Sequence, residues 1–288
     1  MTLDPLISAA ELARSLVNHT PFRLIDVRAQ LGQPFWGPTQ YANGHISDAE
    51  YLHLDFELSD LSQKHTHGRH PLPNEAGFAV TLARLGLNRS HAIVVYDQDT
   101  GAYAARLWWL LSAAGFNNVR VLDGGFAVWI KAGGATSQAR SQHPAQMPQS
   151  LKFDAMPQTD FAEVLQNINV PKFTLLDARG ATRFAGIEEP IDPVAGHVPG
   201  ARNRPFTSNL ENGVFRSPGA LRADFDQLLA GQTASDVTHM CGSGVTACHN
   251  LLAMQIAGLT GSALFAPSWS GWICDSKRPV ENSLTCLT

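Results

Sequence analysis

The strongest constraint on the fold is an internal duplication. FRLIDVR at Phe22–Arg28 returns as FTLLDAR at Phe173–Arg179, and GHISDA at Gly44–Ala49 returns as GHVPGA at Gly196–Ala201. VLDGGFAVW at Val121–Trp129 is echoed more loosely by LFAPSWSGW at Leu264–Trp272. An offset of about 150 residues is that of a duplicated domain, since solenoid units repeat every 20–50 or so residues. A chain of 288 residues has room for two such domains, each able to bury a core. The repeat predicts an N-terminal domain over 1–134, a linker over 135–158 and a C-terminal domain over 159–288. Between the copies lies GGATSQARSQHPAQMPQS, Gly133–Ser150, which is polar and rich in turn-forming residues.

Within each copy, short β-branched runs alternate with helical patterns. Ala92–Tyr96 (AIVVY) predicts a strand, Ala104–Ala114 a buried helix, and Val119–Leu122 the next strand. Strand, helix, strand is the signature of a parallel sheet covered on both faces, so the fold class is α/β with one mostly parallel sheet per domain. In such sheets ligands sit beyond the carboxyl ends of the strands. At the N-terminus, Ser8 as N-cap, Glu11 three residues on, and a stripe of Leu12, Leu16 and Val17 predict a helix. That segment lacks the basic and apolar regions of a signal peptide.

The net charge of −4 and the lack of a basic tract argue against a nucleic-acid partner. No apolar run approaches the ~18 residues of a membrane span. The four cysteines, Cys241, Cys248, Cys274 and Cys286, fall late in the chain and form no CxxC or CxxH pair. They read as reduced thiols in a cytoplasm, not as a disulfide framework or a zinc site. His65, His67 and His70 share a loop without a carboxylate or cysteine at ligand spacing, so no metal is expected there.

Cys241 is set differently from the other three. Asp236–Met240 is the second-copy counterpart of Ile93–Tyr96, so Cys241 stands at the carboxyl end of a strand. Gly242, Ser243 and Gly244 can turn sharply, and Val245–Ala257 reads as a helix. A thiol there faces turn amides and the positive end of a helix dipole, which stabilise the thiolate, the nucleophilic form. The first copy carries Asp97 at the same point, so the architecture does not need a cysteine. The competing reading is a small buried hydrophobe, and that is the reading for Cys248, two helical turns on. Cys286 reads as exposed near the tail.

These residues carry a resemblance. The chain is similar to two-domain rhodanese-type sulfurtransferases over nearly its whole length. CGSGVTA at Cys241–Ala247 resembles the active-site loop of the 3-mercaptopyruvate type, where thiosulfate sulfurtransferases usually have Arg-Lys after the cysteine. The resemblance implies tandem rhodanese-like domains, the first inactive and the second catalytic. It implies a persulfide on Cys241, formed from a small anionic sulfur donor and passed to cyanide, a small thiol or thioredoxin, with no cofactor. It assigns Ser243, His70 and Asp55 to proton handling. It assigns Arg183 to the donor's carboxylate, with Gly242, Gly244, Val245 and Thr246 forming the sulfur-holding loop and Trp269 and Trp272 lining the site. Bland readings compete: loop packing for Ser243, a solvated loop for His70, pairing with Glu188 or Glu189 for Arg183, and core packing for Trp269 and Trp272.

Features present in both copies read as architectural: the pairs Asp26/Arg28 and Asp177/Arg179, and the turn residues His45 and His197. One departure stands out. The 3-mercaptopyruvate type usually places a second donor-binding arginine nine residues after the first, and here that position is Asp192. Arg69, Arg202 and Arg204 are the arginines that could replace it. Two alternatives remain inside the fold, a thiosulfate donor and a persulfide carrier that does not turn over. A Cys-x5-Arg phosphatase is excluded, because the arginine position is Ala247.

Overall fold

The computed structural model describes residues 4–18, 20–141 and 143–282, so Cys286 lies outside the described residues. The chain divides into two compact units. The first holds residues up to Asp60, Leu72–Met156 and Asn212–Phe215. The second holds Leu61–Pro71, Pro157–Glu211 and the chain from Arg216 on.

The first unit is built on a five-stranded sheet ordered Leu6–Ile7, Val119–Leu122, Ala92–Tyr96, Phe22–Asp26, Glu50–Tyr51. All its pairings are parallel. Ile7, Leu24, Val94, Tyr96, Leu122 and Trp129 pack together as core. The helix Ala102–Ala113 buries almost every side chain, which is why its sequence shows little amphipathic period. It starts two residues before the pattern predicts. The Asp97 carboxylate accepts the N–H groups of Gly101, Tyr103 and Ala104 and so caps the first turn. The N-terminal helix spans Ala9–Val17, with Ser8 accepting the Glu11 N–H. Leu12 is buried and Leu16 packs on the core, but Val17 is exposed and does not join the stripe. Residues 151–156 are built into this unit. The Phe153 ring packs tilted against those of Phe78 and Trp109, and the Ala155 N–H donates to the Ala113 carbonyl.

The second unit repeats the plan. Its sheet runs Ala263–Leu264, Val237–Met240, Thr174–Asp177, Arg202–Asn203, again all parallel. Gln158 bridges Leu264 where the first unit has its outer strand Leu6–Ile7. The helix Thr246–Ile256 follows the central strand as Ala102–Ala113 does in the first unit.

The duplication extends to single hydrogen bonds. Arg28 binds Asp26 and the Gly44 carbonyl; Arg179 binds Asp177 and the Gly196 carbonyl. His45 stacks on Tyr41 and bonds its carbonyl, and His197 does the same with Phe184. Arg28 lies over the ring of Phe126 and Arg179 over that of Trp269. These groups tie the turn after a strand to the loop beyond it, in both units alike.

Candidate active site

Cys241 directly follows the strand Val237–Met240 and is almost fully buried. The chain then turns back so that the Gly244 N–H donates to Cys241 Sγ at 3.1 Å. Gly244 has φ +76°, and a side-chain carbon there would lie 2.3 Å from the Ala266 carbonyl oxygen, so only glycine fits. Val245 is buried at the turn and Thr246 opens the following helix. Cys248 lies in the core, its Sγ donating to the Gly244 carbonyl at 3.3 Å.

The short helix Ser268–Trp272 braces this loop. Ser268 Oγ accepts the Cys241 N–H at 3.0 Å and itself donates to the Phe265 carbonyl. The N–H groups of Trp269 and Ser270 donate to the carbonyls of Cys241 and Gly242, each at 2.9 Å. The first unit is braced identically, with the Phe126 and Ala127 N–H groups on the carbonyls of Asp97 and Gln98. Trp269 thus occupies the place of Phe126. Its side chain is fully buried, sits in the core with Met240, Phe265 and Trp272, and donates its indole N–H to the Val194 carbonyl. The expectation that Trp269 and Trp272 line the site is corrected: Trp272 shares that core, and a ring that must carry Arg179 and fill the core has no face left for a substrate.

The corresponding loop of the first unit shows what the turn can hold. Asp97 accepts four backbone N–H groups, from Asp99, Gly101, Tyr103 and Ala104, at 2.9–3.3 Å. Burial pushes its carboxyl up to about 6 against the pull of those amides. An anion placed at this strand end is met by amides, which is the environment a thiolate or persulfide needs.

Three expected side chains lie in the second unit with Cys241. His70 is buried, and its Nδ1 is 2.8 Å from Ser243 Oγ, so it does not belong to a solvated loop. Arg183, on the short helix Ala181–Phe184, binds Glu189 through Nε and Nη2, with Nη2 also 3.1 Å from Asp192. Pairing with Glu189 was the competing reading, and it holds for that edge of the guanidinium. Its Nη1 stands 3.5 Å from where a side-chain carbon on Gly242 would be. Asp55 belongs to the first unit, where its N–H donates to His53 Nδ1.

Asp192 is buried and bridges two arginines, Arg69 and Arg183. Burial pushes its carboxyl up; Arg69 pulls it down and Glu189 pushes it up again, leaving it above the usual range. Burial also pushes Glu189 up, but Arg183 and the Asp192 N–H outweigh it and hold that carboxyl low. Of the arginines that could compensate for Asp192, Arg202 is exposed in the edge strand and Arg204 lies over Phe225, bound to Asn209. Arg69 is the one at the site, its N–H held by Ser270 Oγ. Ser268 and Ser270 escaped the sequence reading, although the repeat sets Ser268 opposite Gly125. Among the described residues no three His, Cys, Asp or Glu side chains gather as a metal site, and no helix is long and apolar enough to cross a membrane.

The family profile of the rhodanese-like domain matches residues 8–132. A probable 3-mercaptopyruvate sulfurtransferase of Pseudomonas aeruginosa is 41% identical over 287 residues, spanning 97% of this chain and 99% of the relative. A putative thiosulfate sulfurtransferase of Mycobacterium tuberculosis is 40% identical over 282 residues, 96% of each. Among solved structures, the 3-mercaptopyruvate sulfurtransferase of Escherichia coli superposes with a TM-score of 0.79 at 29% identity, covering 93% of this chain and all of that one. That of Leishmania major gives 0.77 at 31% identity, covering 92% and 73%. With the duplicated parallel sheets and the cysteine loop at the strand end, these likenesses establish that the chain belongs to the rhodanese-type sulfurtransferases.

Proposed function

We propose that the protein transfers sulfur from 3-mercaptopyruvate, by way of a persulfide on Cys241, to a thiophilic acceptor such as cyanide, a small thiol or thioredoxin. The Cys241 thiolate attacks the donor's thiol sulfur. An S–S bond forms, the C–S bond breaks, and its electron pair leaves on the pyruvate enolate. The donor's thiol proton must reach that enolate carbon to give pyruvate. Ser243 and His70 supply the relay, with Asp55 as the third member that the family resemblance assigns. The amides of Gly242–Thr246 hold the charge on the outer sulfur. Arg183 takes the donor's carboxylate.

The observation that carries this reading is the 2.8 Å contact of His70 Nδ1 with Ser243 Oγ, two residues beyond the nucleophile. With thiosulfate, attack on the outer sulfur expels sulfite and no proton moves, so that donor gives the pair nothing to do. The reading calls on no cofactor and needs Cys241 reduced, which suits the cytoplasm; Cys241, Cys248 and Cys274 are free thiols. The test is steady-state transfer to cyanide from 3-mercaptopyruvate and from thiosulfate in parallel. A higher kcat/KM for 3-mercaptopyruvate supports the proposal. A preference for thiosulfate replaces the donor, and a single loading without turnover replaces the enzyme by a carrier.

A further inference from the structure

Asp192 stands where an anionic donor ought to meet a cation, and the geometry around it resolves that conflict. Each of the two arginines at the cysteine loop is gripped by acids along one edge. Asp192 binds Arg69 through Nη1, while Glu189 takes Nε and Nη2 of Arg183. Arg69 Nη2 and Arg183 Nη1 carry no hydrogen bond among the described residues. Arg69 Nη2 stands 2.8 Å, and Nη1 and Nη2 of Arg183 stand 3.5 Å and 3.6 Å, from where a side-chain carbon on Gly242 would be. Arg69 Nε is buried and has no acceptor among the described residues. The side chains of Asp192 and Glu189 are nearly sealed from solvent, whereas those of Arg69 and Arg183 keep 25% and 19% of their surface open. The donors are open and the acceptors closed off, an arrangement suited to an incoming anion.

We propose that Arg69 is the second donor-binding residue of this enzyme, closing a two-guanidinium clamp with Arg183 over Gly242, and that Asp192 is the positioning residue that holds it there. This rests on the reading of Cys241 as the group attacked by an anionic donor, and deepens it. The arginine missing from position 192 is supplied by the segment Leu61–Pro71, and the acid in its place is the anchor for that replacement. Two further contacts set Arg69 in register. Its N–H bonds Ser270 Oγ, and the Ser270 N–H bonds the Gly242 carbonyl. The backbone of the arginine and the backbone of the catalytic loop therefore hang on one serine. Gly242 itself is explained: a side chain there would intrude between the two guanidiniums.

The clamp also predicts a shape preference. Arg69, Arg179 and Arg183 face Asp177, Glu189 and Asp192, so the cluster is electrically balanced before the donor arrives. A planar carboxylate can take two parallel N–H bonds from a guanidinium edge. A balanced cluster offers a dianion no extra field, so the site favours a monoanionic carboxylate.

The test uses the full-length enzyme and two alkylating reagents that need no sulfur donor, iodoacetate and iodoacetamide. Both place a carbon on sulfur as the C–I bond breaks and iodide leaves; only the first is an anion. The rate is read on the Cys241 peptide by mass spectrometry, and donor KM is measured alongside. Arg69→Gln is expected to lower the iodoacetate-to-iodoacetamide rate ratio at least about tenfold, the loss of one charge-assisted contact. It is expected to raise the KM of whichever donor the enzyme turns over more than it lowers kcat. Arg69→Asp lowers the ratio further, and adding Asp192→Arg restores it by placing the arginine on the other side of the same pair. An unchanged ratio and KM in Arg69→Gln overturn the clamp. A double variant no better than Arg69→Asp overturns the anchoring role of Asp192. A thiosulfate preference in the unmodified enzyme would instead overturn the donor assignment and leave these ratios to be read as before.

Discussion

Ser268 stands at φ 54° where its counterpart in the first unit, Gly125, stands at φ 60°. The brace over the strand end demands a left-handed residue in both units, and the second unit fills the position with a residue that is strained there. The serine hydroxyl accounts for the exchange, because it accepts the buried Cys241 N–H at 3.0 Å. Ser268→Ala keeps the strain and loses the acceptor, and should cost about 1–3 kcal/mol. Ser268→Gly loses the acceptor but relieves the backbone, and should fall between that variant and the parent. Urea unfolding would order the three. Alanine as stable as glycine at this position would mean that the left-handed backbone stores no strain.

Cys241→Ser should abolish sulfur transfer, by at least about a thousandfold, without loosening the second unit. The first unit already folds the same turn around Asp97, so a thiol is not required at that point. Urea unfolding of the variant beside the parent separates loss of chemistry from loss of fold. Retained turnover would move the nucleophile elsewhere.

The sheets were legible because Ala92–Tyr96 and Val119–Leu122 are short β-branched runs and because the duplication printed the plan twice. The same repeat exposed Cys241, by setting it against Asp97. It also marked Asp177 and Arg179 as architecture, since Asp26 and Arg28 repeat them. What stayed hidden came from contacts far apart in sequence. Nothing near Arg69 announces Asp192, 123 residues away, nor Ser270, 201 residues away. Trp269 misled because aromatic residues near a catalytic loop read equally as lining or as core. The structure decides for the core: Trp269 aligns with Phe126, which packs against the core of the first unit.

Disrupting the His70–Ser243 contact should separate the two donors. Ser243→Ala and His70→Asn should lower kcat with 3-mercaptopyruvate about a hundredfold, the scale of lost general acid–base help. Their effect with thiosulfate should be less than threefold, because expulsion of sulfite moves no proton. Equal losses with both donors would reduce the pair to a loop-packing contact.

His239 makes the second unit sensitive to acid. It is fully buried in the strand leading to Cys241, with Nε2 3.0 Å from Met254 Sδ and, among the described residues, no partner on Nδ1. Burial, with the positive charge of Arg204 adding to it, pushes the imidazole down to about 3. In the unfolded chain it takes up a proton near 6.5. Below that pH the unfolded state binds the proton and the folded state does not, so stability falls as pH drops from 6.5 toward 3 and is fully present above 6.5. From pH 7.5 to pH 5.0 this one group should cost about 2 kcal/mol. Urea unfolding of the parent and of His239→Leu at those two pH values measures it. The parent should lose about that much more than the variant, and equal losses would mean that the folded protein accommodates a charged His239.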